Sequence, residues 1–532
     1  MNLDPSASRQ EPANPPEVVA VIDIGASSIR MQIAEIFGGG EVRKLESLSQ
    51  AVSIGRDSFS QGIISKESIE DCVRVLQIYR QRLMEYGITS PRAIRVVGTS
   101  GVREATNRLA FQDRIYIATG FQLEPFDEAE LHRVTYLGIQ PFLRDYPEHF
   151  SGDTVVSEVG GGTTEFLFLN REDVAFARTF RLGSLRLRRL LDSYDATQAK
   201  MRRILESQIS QAIQQIQHLV HDETAAYVAM GGDIRFAVAQ ITGGFGKSPI
   251  ARLGLRQLQE FTEEILHSTP DSLASQFHLS LPDANSLGPA LLTHLMLARH
   301  FHSEEVLVVN VNLRDGLLME MASQGRWSES IQSQIVRSAT LLGKKYDFDL
   351  NHATHTAFLA CQLFDQLSDL HRLDNRSQVI LHLAALLHEI GVYVNLRSYH
   401  KHSMYLIQNS ELFGIGERDL LLIGLVARYH RRATPQPAHE GYSLLDRDSR
   451  VAVAKLAALL RIASALDVTR SQRIAHLQTR IVGDEVQVIA SGVSDLAVEQ
   501  LELRDAGAMF EDLFGCRLIL GSEETLGKDE SQ

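Results

Sequence analysis

The chain has 532 residues, 44% of them hydrophobic and 22% charged, a composition typical of ordinary globular proteins. This length predicts about three or four domains, because a single hydrophobic core stops growing well before it. The formal net charge of −13 argues against a nucleic-acid partner, since such binding depends on Lys and Arg that neutralise phosphates.

The N-terminus and the cysteines indicate the compartment. Residues 1–16 are rich in Pro, Ser and Asn and predict a disordered leader. No stretch approaches the ~18 apolar residues that span a bilayer, so we expect no membrane segment. The three cysteines (Cys72, Cys361 and Cys516) are far apart and form no CxxC pair, which predicts neither a disulfide framework nor a thiolate zinc site. A reducing cytoplasm fits this pattern.

The first predicted elements form a hairpin. Residues 18–24 are a β-rich run, and residues 29–36 alternate again after the segment 23–28 (Asp-Ile-Gly-Ala-Ser-Ser). A Gly/Ser turn therefore joins two strands. The elements that follow are a helix over 66–86, a buried strand over 95–98, and helices over 102–113 and 127–144.

The strand-and-turn pattern then begins again. A β-run over 154–159 leads into residues 158–165 (Glu-Val-Gly-Gly-Gly-Thr-Thr-Glu) and a further strand over 166–169. Both copies place a carboxylate two residues before glycine, at the end of a strand, and hydroxyl side chains follow. Further strands at 227–233 and 306–311 alternate with helices, so residues up to about 322 predict an α/β pair of lobes. From 331 to 470 the pattern is almost wholly helical, and 478–521 returns to strand-like alternation.

The two acidic glycine turns indicate phosphate chemistry. Glycine lets the backbone approach a phosphate closely, and Ser27, Ser28, Thr163 and Thr164 add hydroxyl donors. A carboxylate beside such a turn would repel phosphate unless it held Mg²⁺ or oriented an attacking water. Two matching turns therefore predict facing lobes with an anion between them.

These turns, together with residues 98–107 (Gly-Thr-Ser-Gly-Val-Arg-Glu-Ala-Thr-Asn), 182–187, 313–318 and the helical tail, resemble the exopolyphosphatase/guanosine-pentaphosphate phosphatase family. The resemblance implies two actin-like lobes of the actin/sugar-kinase/Hsp70 (ribonuclease H-like) architecture. It also implies Mg²⁺-dependent hydrolysis of a terminal phosphoanhydride in inorganic polyphosphate or guanosine pentaphosphate, by a cytoplasmic protein that is typically a homodimer.

The resemblance also assigns roles to residues. Glu128, within 127–131 (Asp-Glu-Ala-Glu-Leu), corresponds to the general base, and Glu165 to an acid that positions water or metal. Asp23 and Glu158 would hold Mg²⁺, and Thr99 and Ser100 would cap a helix and present its amides to phosphate. The expected phosphate-binding residues are Gly25, Ser27, Ser28, Arg30, Thr99, Ser100, Arg103, Gly160, Gly161, Gly162 and Thr163.

The sequence departs from the family pattern in these turns. Ala26 and Ser27 replace serine and asparagine, Glu158 replaces aspartate, Glu124-Pro125 replaces Ser-Gly, and 231–233 read Gly-Gly-Asp instead of Ser-Gly-Thr. A carboxylate moved by about 1 Å can slow an enzyme strongly. The leading hypothesis is a hydrolase. The alternatives are a non-catalytic polyphosphate or alarmone sensor and, less favoured, an ATP-using kinase of the same superfamily.

The helical tail resembles an HD phosphohydrolase domain in its histidines. His352, His388 and Glu389 stand where that domain has metal ligands, but the doublet is His-Glu rather than His-Asp, and Ser464 stands where a last aspartate is expected. We therefore expect no metal at this remnant. The predicted segments are a disordered leader 1–16, lobe I 17–132, lobe II 133–322, an HD-like all-α domain 323–477 and a small α+β module 478–532.

Overall fold

The computed structural model describes residues 15–150, 152–192, 198–217, 225–323, 328–431, 433–493, 495–522 and 525. Most of the predicted leader, residues 1–14, lies outside the described residues. The chain divides into two compact units, Met1–Ser328 and Glu329–Gln532.

The first sheet of the first unit contains the predicted hairpin. Its strands run in the spatial order β3-β2-β1-β4-β5, and β1 pairs antiparallel with β2 and parallel with β4. Strand β1 is central, so it is buried on both faces and its sequence is an almost continuous apolar run. The strands are β1 (Glu17–Ile24), β2 (Ser28–Ile36), β3 (Val42–Ala51), β4 (Ile94–Gly98) and β5 (Leu123–Pro125), and the helices are α1 (Ile54–Gln61), α2 (Lys66–Glu85), α3 (Ser100–Arg103) and α4 (Arg108–Thr119).

The single helix predicted over 102–113 is wrong, because the structure divides it between α3 and α4. Asn107 between them bonds a distant backbone: its Oδ1 accepts from the Ile64 amide at 2.9 Å, and its Nδ2 donates to the Ile64 carbonyl at 2.9 Å. Thr106 donates to the Gly62 carbonyl. These bonds to another segment replace the local helical ones.

The second sheet has the order β10-β11-β9-β6-β7-β8 and contains the second acidic turn between β6 and β7. Its own hydrophobic core lies beneath the long buried helix α11. The strands are β6 (Asp153–Val159), β7 (Thr164–Asn170), β8 (Asp173–Phe180), β9 (Ala226–Met230), β10 (Ile250–Gly254) and β11 (Glu305–Val309), and the helices are α5 (Glu128–Asp145), α6 (Ser184–Asp192), α7 (Gln198–Gln217), α8 (Gly232–Thr242), α9 (Leu255–His267), α10 (Pro270–Phe277), α11 (Leu281–His300) and α12 (Leu313–Ala322).

Helices α5 and α12 connect the two lobes. Residue 132, the last residue of predicted lobe I, lies within α5. Leu317 of α12 belongs to the same buried cluster as the first sheet, so the chain returns to lobe I before leaving the unit. A Cβ at Gly316 would overlap the Val134 carbonyl of α5, and Arg133 pairs with the buried Glu320 at 3.4 Å. Close backbone contact and a buried ion pair therefore join the two helices.

The second unit is helical up to residue 466, as predicted, and then contains strands. The alternating segment 479–489 is a hairpin, and β13 also pairs parallel with β14. The helices are α13 (Glu329–Lys345), α14 (Leu350–Gln366), α15 (Ser368–His371), α16 (Asn375–Leu387), α17 (Tyr399–Gln408), α18 (Glu417–Arg428), α19 (Arg447–Leu466) and α20 (Ala497–Phe514), and the strands are β12 (Leu477–Val482), β13 (Glu485–Ala490) and β14 (Arg517–Ser522). Among the described residues of both units, no helix has the length and apolar character that crossing a membrane requires.

Candidate active site

The two acidic turns have the same local structure. The Gly25 amide donates to the Ser28 carbonyl at 2.9 Å, and the Gly160 amide donates to the Thr163 carbonyl at 2.8 Å. A Cβ on either glycine would lie 3.2 Å from that same carbonyl oxygen, so the close approach favours glycine at both positions. The internal repeat predicted from the sequence is therefore one turn built twice, at the end of β1 and at the end of β6.

The turns face each other in contact. A Cβ on Gly161 would lie 3.3 Å from the Ala26 Cβ of the first turn, and one on Gly162 would lie 2.5 Å from Ser100 Oγ. A Cβ on Gly183 would overlap the backbone of residues 161 and 162. Small residues at these positions allow the two lobes to approach, as the paired turns predict.

A cavity of about 360 Å³ lies between the turns. Most of the predicted phosphate-binding residues line it: Gly25, Ser27, Ser28, Arg30, Thr99, Ser100, Gly160, Gly161 and Thr163. Asp23, Glu158 and Glu165 line it as well. The described residues that line the cavity do not include Gly162, Arg103 or Glu128.

Two of the predicted hydroxyl donors act within the fold instead. Thr163 Oγ1 donates to Glu165 Oε1 at 2.7 Å, and Thr164 Oγ1 donates to the Leu182 carbonyl at 2.5 Å. Because each hydroxyl has one proton, neither is available to a phosphate in this arrangement. Thr163 still lines the cavity, and Ser27 and Ser28 are the hydroxyl side chains of the turns that remain beside it.

Asp23 is a buried carboxylate, and one of its oxygens has no hydrogen-bond partner among the described residues. Burial raises its pKa, while the charges of Arg314 and Arg30 lower it. Arg314 Nη1 lies 3.4 Å from Asp23 Oδ2, whereas Oδ1 has no hydrogen-bond partner among the described residues. An unsatisfied buried oxygen facing a cavity is costly, and a cation would satisfy it.

Glu158 occupies the equivalent position in the second turn. Its pKa is raised to about 7, mainly by burial; the charge of Arg235 opposes the shift, and the charges of Glu165 and Asp23 add to it. Two buried carboxylates that line one cavity offer the oxygen ligands that Mg²⁺ prefers. The residues present therefore fit a magnesium ion.

Glu165 is already held by hydrogen bonds. Thr163 donates to its Oε1, Thr179 Oγ1 donates to its Oε2 at 2.5 Å, and His132 Nε2 lies 3.3 Å from Oε2. Burial would raise the pKa of Glu165, but these bonds and the nearby His132 lower it overall. Its ionised carboxylate orients the second turn.

Glu128 and Arg103 lie at the edge of the cavity. Glu128 is the first residue of α5, which begins with a capping box between Asp127 and Glu130. Its side chain is 55% exposed, with Oε1 3.8 Å from Arg103 Nη2. Leu131, one helical turn further on the same face, lines the cavity, so Glu128 lies at its mouth.

Thr99 does not cap helix α3 with its side chain, contrary to the prediction from the sequence. Thr99 occupies the N-cap position of α3, but its side chain makes no capping hydrogen bond there. The helix is four residues long, too short for an appreciable dipole. Thr99 and Ser100 thus contribute through their position beside the cavity.

Sequence reasoning missed residues that helices α8, α11 and α12 bring to the site. The charge of Arg235 acts on Glu158 and that of Arg314 acts on Asp23, and Asp283 and Ser286 of α11 line the cavity. Burial, with help from the Asp283 charge, raises the pKa of Asp233 to about 6. Arg235 follows the turn 231–233 by two positions and Arg314 lies within the motif 313–318, which are the available sequence signals.

The predicted remnant in the second unit also comes together. One ligand atom each from His352, His388 and Glu389 lies within 4.8 Å of the others. Ser464 is not among these three residues.

The fold and cavity define a class: a two-lobed α/β protein in which paired acidic glycine turns enclose one cavity of about 360 Å³. A family model for the Ppx/GppA phosphatase family matches residues 19–324, and one for Ppx/GppA phosphatase, domain III, matches 336–504. The chain belongs to the Ppx/GppA phosphatase family, as its motifs indicate.

Individual relatives agree with this assignment. The chain is similar to guanosine-5'-triphosphate,3'-diphosphate pyrophosphatases of Photobacterium profundum (24% identity; 84% of this chain, 86% of the relative) and Vibrio atlanticus (22%; 84% and 87%). A solved exopolyphosphatase from Cytophaga hutchinsonii matches with a TM-score of 0.52 at 18% identity, over 58% of this chain and 99% of that one. This confirms the α/β actin-like pair of lobes. The HD-like character of the second unit stays a prediction.

Proposed function

We propose that the protein hydrolyses the terminal phosphoanhydride of inorganic polyphosphate or guanosine pentaphosphate with Mg²⁺. This proposal rests on the two turns of the same local structure. Each has a carboxylate two residues before its glycine, and they face each other across one cavity. The names of the relatives, a guanosine-5'-triphosphate,3'-diphosphate pyrophosphatase and an exopolyphosphatase, support this reaction class.

Asp23 and Glu158 would hold the magnesium ion. When bound, Mg²⁺ neutralises phosphate oxygens and stabilises the charge that develops during transfer. The backbones of both turns, the hydroxyls of Ser27 and Ser28, and Arg30 surround the terminal phosphate and fix its orientation. Arg314, paired with Asp23, keeps that carboxylate in place.

Glu128 acts in this proposal as the general base. Its position at the mouth of the cavity leaves it hydrated, so a water bound to it can attack the phosphate in line with the leaving group. Arg103 donates to the Phe126 carbonyl at 3.2 Å and lies 3.8 Å from Glu128, so it holds that carboxylate at the rim. Glu165 assists by orienting the second turn.

A sensor is the second candidate. Asp233 and Asp283 add negative charge to the cavity beside the position of a polyanion, which disfavours rapid turnover. Tight binding of polyphosphate or guanosine pentaphosphate in calorimetry, without phosphate release in any divalent metal, would support the sensor.

The proposal also includes a cytoplasmic location and a homodimer. The three cysteines are unpaired, which accords with that location.

Removal of magnesium tests the proposed reaction. We expect phosphate release from polyphosphate or guanosine pentaphosphate to fall to background in EDTA and to return when Mg²⁺ is added in excess, because the turn carboxylates need a cation to accept a polyanion. A colorimetric phosphate assay with each substrate measures it. Release that is unaffected by EDTA would contradict the role of Asp23 and Glu158.

The dependence on pH should follow Glu158. Its pKa of about 7 means that it binds Mg²⁺ well only above that pH, so activity at subsaturating Mg²⁺ is expected to rise as pH passes through about 7. The metal-free protein should lose stability as the pH rises from about 4.5 to about 7. The folded state binds the proton more tightly than the unfolded glutamate, whose pKa is near 4.5. Glu158→Gln should flatten both profiles, and the exposed Glu148→Gln should not. Unchanged profiles in Glu158→Gln would reject this assignment.

A further inference from the structure

A group of polar side chains lies in the hydrophobic core beneath α11. Ser157 of β6, Tyr227 of β9 and His294 of α11 are each at most 1% exposed. Ser157 Oγ lies 2.6 Å from the Tyr227 hydroxyl oxygen, which lies 2.8 Å from His294 Nδ1. Ser157 Oγ is also 3.5 Å from the same nitrogen. One hydrogen-bonded network, the Ser-Tyr-His network, therefore joins three elements that are distant in the chain.

Each of these elements also reaches the cavity between the acidic turns. Glu158 follows Ser157 directly, and successive side chains of a strand point to opposite faces, so Ser157 faces α11 while Glu158 lines the cavity. Strand β9 leads into the turn that ends at Asp233, which lines the cavity as well. Leu287 of α11 lines it too and lies two helical turns before His294 on the same helix face. The network thus connects the three segments that carry these cavity residues.

The Ser-Tyr-His network is uncharged and incompletely satisfied. Burial lowers the pKa of His294 to about 3 and raises the pKa of the Tyr227 hydroxyl. A neutral imidazole has one N–H and one lone pair, and His294 Nε2 has no hydrogen-bond partner among the described residues. An unsatisfied buried atom costs free energy, whereas apolar residues of the same shape can replace such partners with little loss of stability. The stability of the lobe therefore does not account for the network.

We infer that the Ser-Tyr-His network fixes the relative positions of β6, β9 and α11 at the cavity, so that its members are positioning residues for the reaction. Hydrogen bonds are directional and set the distance and angle between the elements they join, whereas the hydrophobic effect is non-directional. Glu158 depends on the network most directly, because it adjoins Ser157 and a displacement of about 1 Å can slow a reaction by about 10²-fold. The inference rests on the proposed function for the reaction that this positioning serves.

Tyr227→Phe tests this role with a small change, because it keeps the ring and removes the hydroxyl that joins Ser157 to His294. We expect faster amide deuterium exchange in segments 157–165 and 229–235, with wild-type exchange in the rest of the first unit. Mg²⁺ affinity in calorimetry and kcat at saturating Mg²⁺ should each fall about 10-fold, less than a displacement of about 1 Å would cost. The melting temperature should stay close to that of wild type, since Ser157 Oγ and His294 Nδ1 remain 3.5 Å apart.

Matched variants separate positioning from a general effect on the core. Thr293 precedes His294 on α11, is fully buried, and donates to the Pro289 carbonyl of its own helix at 2.8 Å. Thr293→Val should therefore match wild type in exchange, Mg²⁺ affinity and kcat. His294→Leu should behave like Tyr227→Phe. His294→Asn should recover most of the loss, because its amide offers a hydrogen-bonding atom near the position of Nδ1.

The exchange measurement separates this inference from the proposed function. A wild-type protein that neither binds Mg²⁺ nor releases phosphate would contradict the proposed reaction, and exchange in the two segments would still decide the role of the network. Folded Tyr227→Phe and His294→Leu proteins with wild-type exchange in both segments would overturn the inference, as would exchange that rises uniformly through the first unit. If the wild-type protein is active, unchanged Mg²⁺ affinity and kcat in these variants would overturn it as well.

Discussion

Replacing Glu128 by glutamine is expected to lower the rate of phosphate release by about 10²–10⁴-fold, the usual contribution of a positioned general base. Glutamine keeps the shape of the side chain and its place at the start of α5 but cannot accept the proton of the attacking water. The variant should fold, because loss of one charge at a helix start costs only about 0.3–1 kcal/mol. Steady-state release measured at saturating Mg²⁺ gives the ratio.

Asp145→Asn is the matched control for Glu128→Gln. Asp145 is an exposed acid at the opposite end of the same helix, so its replacement changes the charge of α5 without changing the mouth of the cavity. It should release phosphate at the wild-type rate. If Glu128→Gln also does so, Glu128 is not the base, although the hydrolase assignment itself would stand.

Asp23→Asn is expected to lower the rate by about two to three orders of magnitude, comparable to removal of one preorganised charge-stabilising group in other active sites. The amide keeps the volume and one oxygen of the carboxylate but loses the charge that holds Mg²⁺ and pairs with Arg314. Calorimetry should show weaker Mg²⁺ binding in parallel with the loss of activity. Because the buried Arg314 guanidinium loses its charged partner, the melting temperature should also fall, and circular dichroism checks that the variant is folded.

Asp57→Asn provides the comparison for Asp23→Asn. Asp57 is also a buried carboxylate of the first unit, but it accepts hydrogen bonds from Ser65 and Ser68 and lies outside the cavity lining. Its variant should affect stability and leave Mg²⁺ affinity unchanged. An Asp23→Asn protein with wild-type Mg²⁺ affinity would remove Asp23 from the metal site, whatever its activity.

Much of the candidate site could be predicted because its parts are contiguous in the chain. Asp23 with Gly25, and Glu158 with Gly160, are local strand-to-turn patterns, and the structure builds them alike. The residues that were missed come from separate segments: Arg235 lies on α8, which follows β9, and Arg314 lies on α12. The nearby turn 231–233 and the motif 313–318 mark these two segments, but the packing of α8 and α12 decides that the two charges act in the cleft.

Two predictions failed because another residue took the hydrogen-bonding group on which each prediction depended. The helix expected over 102–113 has sound periodicity, but Asn107 bonds Ile64, more than forty positions earlier in the chain. The Thr163 hydroxyl has the right chemistry for phosphate, but Glu165, two residues further along the chain, takes the proton. In both cases another residue takes the hydrogen-bonding group: for Asn107 it is distant in the chain, and for Thr163 it belongs to the same turn.

By itself, the sequence determined the two acidic glycine turns, the α/β order of the first unit, the helical start of the second and the family. Each of these depends on residue types at short spacing, which set the local backbone and periodicity. Only the tertiary structure decided that Ala26 lies against Gly161, that Glu158 has a pKa of about 7, and that Glu128 lies at the rim. Burial and charge proximity depend on segments far apart in the chain, so they arise only when the lobes pack together.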